Sequence, residues 1–121
     1  MTRARLLDCD FTGVEASGLR CSQSDCGKSE FAESNLTGAD FREANLQGAR
    51  FFRTKLENVR FGGAKIFGAD FRGSDMQGAR DLTQEQLCMA RTDDKTLLPS
   101  GARGPFLKGS GAEKPRGMRG T

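Results

Sequence analysis

The chain has no histidine, no tryptophan and no tyrosine, and only three prolines among 121 residues. Without an imidazole the commonest general base is missing, and neither a Ser–His nor a Cys–His nucleophile pair can be assembled. The same absence removes every Cys/His zinc site. The four cysteines, at positions 9, 21, 26 and 88, also lack the close CxxC pairs of a four-thiolate site. No metal and no other cofactor is expected. Apolar runs are only a few residues long, against the roughly 20 that a membrane helix needs, and the N-terminal stretch holds no apolar signal segment. The expectation is a cytoplasmic chain with free thiols and no membrane contact.

Hydrophobic residues are scarce too, at 36%, so an ordinary two-layer core would be hard to fill. The net charge of +3 hides an uneven split, because residues 100–121 carry +4 and leave residues 1–99 at −1. A near-neutral body with a basic end lacks the concentrated basic face of a dedicated nucleic-acid domain.

Glycine is abundant, with sixteen residues, and its placement exposes a repeat. From Ala4 to Gly78 the sequence divides into fifteen pentapeptides without a slip, among them SNLTG, ADFRE, ANLQG, AKIFG and ADFRG. The third position is apolar throughout, from Leu6 and Phe11 to Phe71 and Met76. The first position is small except at Leu19, and glycine takes the fifth position eight times. An α-helix would smear a five-residue period around its circumference, and a straight strand would send successive third positions to opposite faces. The chain must therefore turn once per repeat, and fifth-position glycine suits the backbone angles of such a turn. Turning always the same way winds the chain into a coil. Phe11, Phe31, Phe51 and Phe71 fall twenty apart, as do Phe41 and Phe61, Cys26, Leu46 and Ile66, and Leu36, Leu56 and Met76. Four pentapeptides per coil, with aromatic and aliphatic walls alternating, is the β-solenoid this implies.

The A-[DN]-[LF]-x-x pattern, clearest at Ala39–Phe41, Ala44–Leu46 and Ala69–Phe71, resembles the pentapeptide-repeat family. That resemblance implies an all-β fold, a right-handed quadrilateral β-helix over residues 4–80 with first and third positions inward. The stretch Val14–Lys28, where Ala16, Cys21 and Cys26 replace Leu or Phe, predicts a looser first coil. Thr83 with Gln86 reads as a capping box and Leu82 with Leu87 as its hydrophobic staple, so a capping α-helix running to about Arg91 is predicted within a closing segment, 81–99. That segment resembles the one that follows the repeats in many bacterial members of the family. Residues 100–121, rich in glycine with scattered basic residues, predict a disordered tail.

No catalytic site is expected. Second-position charges stack in columns twenty residues apart, Arg20–Asp40–Arg60, Glu30–Arg50–Asp70 and Lys55–Asp75, which reads as salt-bridge ladders before chemistry. Cys21 and Cys26 sit at inward positions as small hydrophobes, Cys9 at another, and Cys88 near the surface. Phe52 and Phe67 occupy fourth positions, which the resemblance turns outward. With Arg50, Arg53, Lys55, Arg60 and Lys65 they form the candidate interaction patch. The plain structural alternative stacks Phe52 on Arg72 and covers Phe67 with a loop.

These features favour a non-enzymatic binding or scaffold module that presents its surface to a macromolecule, a protein first and a homodimer partner also allowed. Nucleic-acid binding through the basic coil and tail is the first alternative. A second comes from the resemblance, since some members imitate DNA in the groove of type II topoisomerases. The near-neutral body and a rod of roughly 18 Å, estimated from a strand spacing of about 4.8 Å, argue against it.

Overall fold

The structure, a computed structural model, describes residues 5, 6 and 9–114. Ala4, Leu7 and Asp8 of the first repeat, and the last seven residues of the expected tail, lie outside the described residues.

The repeat folds because each backbone group finds a partner at a fixed offset. Second-position residues form parallel bridges with the residue twenty later, as in Asp10↔Glu30, Arg20↔Asp40, Asn35↔Lys55 and Arg50↔Asp70. Four pentapeptides therefore make one coil. The third-position N–H donates to the next coil, Phe31 to Arg50 O at 2.7 Å, and the second-position N–H donates to the previous one, Arg50 to Ser29 O at 2.9 Å. The first-position N–H closes a turn onto the preceding third position, as Ala39 does onto Leu36 O at 2.9 Å. With a turn in every repeat, the ladder is built from single bridges rather than continuous strands.

The turn has one demanding residue. Every described fifth position has positive φ, in the glycines and also in Gln23, Lys28, Glu33, Glu43, Arg53 and Asn58, whose φ lies between 54° and 60°. Side chains other than glycine take this conformation at a cost of roughly 1–2 kcal/mol each, so the ladder and core hold them there. The fifth-position N–H also donates to the next coil, Gly38 to Glu57 O at 2.8 Å, and where position two is Asp or Asn that side chain meets the N–H of position four: Asp40 Oδ1 accepts from Arg42 N at 3.0 Å, Asn45 Oδ1 from Gln47 N at 3.1 Å and Asp70 Oδ1 from Arg72 N at 3.0 Å. That local acceptor is the reason for Asp or Asn after the first-position alanine.

Inside, four wall columns meet. We denote as wall A the repeats at 9–13, 29–33, 49–53 and 69–73, as wall B those at 14–18 to 74–78, as wall C those at 19–23 to 59–63, and as wall D those at 24–28 to 64–68. Along wall A, Phe11, Phe31, Phe51 and Phe71 stack at 5.0–5.1 Å between ring centroids and within 9° of parallel. Phe41 and Phe61 stack on wall C at 6.2 Å, and Phe41 meets Phe31 and Phe51 edge-on at 6.0 Å. Each such pair is worth about 0.5–1.5 kcal/mol beyond its buried area. Small first positions let the turns close over this core, and buried Ser34, Thr54 and Ser74 donate their hydroxyls to third-position carbonyls. Over Val14–Lys28 the ladder runs regularly and Cys21 and Cys26 are fully buried, while Leu6, Phe11, Val14, Ala16 and Leu19 are part-exposed at the uncovered end.

The coil does not end with the repeat. Arg91 bridges to Asp70 and Leu97 to Asp75, offsets of 21 and 22, and Gly78 N–H donates to Pro99 O. Helix α1 (Gln84–Cys88) replaces wall D in this last turn. It is shorter than expected, ending at Met89 instead of near Arg91, but Thr83 and Gln86 form the capping box and Leu82 and Leu87 enter the core. Gln86 Nε2 donates to Ala64 O at 2.8 Å, standing in for the missing ladder N–H. Ile66 is the one third-position residue among those described whose N–H finds no ladder acceptor.

The expected disorder of residues 100–121 is corrected over 100–114. Leu98 N–H donates to Ala102 O, Ser100 N–H to Ala112 O and Phe106 N–H to Thr92 Oγ1, while Phe106 packs on the core and Ala112 is buried. Glycine-rich composition suggested freedom, yet the last coil offers an apolar end and spare backbone groups to cover.

Three outcomes are expected for stability. Phe51→Asp places a charge in a fully buried ring stack and abolishes the cooperative melt seen by circular dichroism. Gly38→Ala meets nothing within 4 Å, so its cost of about 1 kcal/mol is purely conformational. Conversely, Glu33→Gly stabilises by about 0.5–1 kcal/mol, because relief at its φ of 60° exceeds the added chain entropy. Urea melts of both variants check the pair of signs.

Candidate interaction surface

With first and third positions spent on the core, the outward chemistry sits at positions two, four and five. The seven candidate residues fall within one turn of the coil but not on one face. Arg50, Phe52 and Arg53 lie on wall A, Lys55 on wall B, Arg60 on wall C, and Lys65 and Phe67 on wall D. Phe52 is half-buried, and its cation partner is Arg53, 5.2 Å from the ring centroid, rather than Arg72. Phe67 is 64% exposed with no loop over it, and it shares a groove of about 220 Å³ with Met89, Lys65 and Glu85 beside α1. Lys55 and Arg60 are exposed on walls facing away from both aromatics.

The salt-bridge ladders are largely replaced by pairs within a repeat. Asp40 binds Arg42 through both oxygens, at 2.9 and 2.7 Å, and Asp70 binds Arg72 likewise at 2.9 and 2.8 Å. Glu30–Arg50, at 3.6 Å, is the one ion pair between coils among the described residues, and Lys55 makes none with Asp75. The chain separation of two residues brings the arginine closer than the neighbouring coil does. Asparagine serves the columns instead, Asn35 Nδ2 donating to Glu15 and Asn45 Nδ2 to Asp25, each at 3.0 Å.

The Arg42 side-chain bond holds the Asp40 carboxyl below its usual range. At Asp70 burial pushes upward, but the Arg72 hydrogen bonds and charge outweigh it and the carboxyl is again lowered. Cys21 and Cys26 meet inside the core, where the hydrogen bond that Cys26 donates to Cys21 and then burial push the Cys26 thiol far up, leaving it an unreactive neutral group. Cys88 is exposed and Cys9 half-buried. Among the described residues no three acidic or thiol side chains converge to hold a metal ion, and no helix is long and apolar enough to cross a membrane.

On wall C the column of Arg20, Asp40 and Arg60 is joined by Arg42, which sequence reasoning did not place there, and the three arginines surround Asp40 over a groove of about 530 Å³. The twenty-residue column and the recurring Ala-Asp-Phe-Arg of residues 39–42 and 69–72 were its signal.

A solenoid whose coils repeat every twenty residues defines a class of repeat proteins, and comparison with known proteins narrows it. The family profile described as pentapeptide repeat region matches residues 4–80, more than half of the chain. The chain belongs to the pentapeptide-repeat family. No curated protein matches it in sequence. Among solved structures it resembles a pentapeptide repeat protein of the Arabidopsis thaliana thylakoid lumen, with 20% identity over 87% of this chain and 70% of that one and a TM-score of 0.65. It also resembles Rfr23 of the cyanobacterium Cyanothece, with 19% identity over 78% of this chain and 88% of that one and a TM-score of 0.47. At these identities the likeness concerns the fold.

Because the folded Asp40 and Asp70 carboxyls titrate lower than in the unfolded chain, their contribution is fully present above the unfolded value of about 4 and is lost as pH falls through the folded values. Asp40→Asn/Asp70→Asn keeps the acceptor for the turn and loses the charge. Thermal melts at neutral pH and near pH 3 should show a smaller acid-induced drop for this variant than for the parent chain.

Proposed function

We propose that the chain is a non-catalytic interaction module, a right-handed four-sided coil that presents its outward positions to a protein partner. The observation that carries this reading is the division of labour within each repeat. Two positions of five are consumed by a core that is buried from Cys21 to Met76, and the ladder engages most of the remaining backbone N–H groups. The outward side chains therefore stand on a scaffold that costs little to organise when a partner arrives. Membership in a family of generally non-enzymatic interaction proteins supports it. The proposed compartment is the cytoplasm, where cysteine thiols stay reduced.

The folded chain, immobilised as bait in lysate of its source beside Phe52→Ser/Phe67→Ser, tests the proposal. A protein retained by the parent chain and released by salt or by a change at outward positions is expected. Retention of nucleic acid alone, removed by nuclease, would move the function to the nucleic-acid reading, and retention of nothing specific would contradict the module.

A further inference from the structure

We propose that wall C, with Arg20, Arg42 and Arg60 and continued by Arg80, the ladder partner of Arg60, is the docking surface for an extended acidic segment of a partner protein; this rests on reading the chain as an interaction module. Asp40 is the only carboxylate lining the groove, and both of its oxygens are taken by Arg42. Arg20, Arg60 and Arg80 have no carboxylate within ion-pair distance among the described residues. Arg60 and Arg80 are moreover ladder partners, so two like charges stand directly opposite each other. Such a pairing is destabilising by itself and becomes favourable when an anion sits between the two.

The floor of the groove is accessible. Gly18 and Gly38 form its corner, and a Cβ at either would meet nothing within 4 Å. The opposite wall carries the same Asp–Arg pair, with Arg50, Asp70, Arg72 and Arg91 around about 360 Å³, but there Glu30 lies 3.6 Å from Arg50. Wall C is thus the less compensated of two matching surfaces.

The acids that remain near it select the partner. Asp40 lies within the groove, Asp81 lies over Gly62 beside Arg42, and Glu43 stands at the next corner. An uninterrupted phosphate run would meet these carboxylates, and wall C offers no exposed aromatic ring on which bases could stack. A peptide can place its carboxylates where the arginines are and carry uncharged residues over the acids, whereas a phosphodiester strand bears a charge on every unit. Guanidinium forks suit carboxylates, as the Asp40–Arg42 pair itself demonstrates.

The test uses the full chain, a fluorescein-labelled alternating Glu-Ser octapeptide and an oligothymidylate of similar length, read by anisotropy at low salt. The peptide should bind, and Arg20→Gln/Arg60→Gln should weaken it about tenfold while Arg50→Gln/Arg91→Gln leaves it unchanged. Circular-dichroism melts establish that both variants are folded. Absence of peptide binding, indifference to the first pair of changes, or tighter binding of the oligothymidylate through the same arginines would each overturn the proposal. A cellular protein captured equally well by the Arg20→Gln/Arg60→Gln chain would overturn this surface and leave the module standing, whereas failure of every bait would count against the module itself.

Discussion

The left-handed backbone at every fifth residue is the constraint on which the rest of the molecule depends. It makes the chain turn once per repeat and always in the same sense, so that residues twenty apart come into register. Stacking then supplies the hydrogen bonds and the aromatic columns, and these in turn hold six non-glycine residues in a conformation they would not choose. Local cost and long-range gain are coupled through a single geometry. A change at one corner is felt by the coil above and the coil below, but little further.

The same geometry explains what could be read from the residues. The five-residue period, the twenty-residue columns and the capping box at Thr83 are patterns along the chain that the structure realises, and Leu82 and Leu87 both enter its core. The acids of the second position were harder. Column arithmetic pairs Asp40 with Arg20 and Arg60, but an N–H and a guanidinium two residues away compete at shorter range and win. The order of residues 100–114 was hidden because it depends on an apolar coil end that composition does not reveal. The patch from Arg50 to Phe67 spans nearly a whole coil, and residues that follow one another through a full turn must point in every direction. Closeness in sequence along a solenoid means closeness in height, while a shared face requires the twenty-residue spacing.

That distinction shapes the functional account. An interaction face on this rod is a column, not a segment, and its charge is set by which arginines are left after each aspartate has been satisfied locally. Wall C, with Arg60 opposite Arg80, keeps more uncompensated positive charge than wall A. The last coil differs from the others in another way, since helix α1 replaces one wall and leaves Ile66 outside the ladder.

Backbone amide hydrogen exchange, resolved residue by residue, tests the ladder most directly. If offset pairing carries the fold, protection recurs with a period of five, strong at third positions such as Phe31, Leu36 and Phe51, and drops at Ile66 where the acceptor is missing. Protection that ignores the five-residue period, or an Ile66 amide as slow as that of Leu46, would contradict the account.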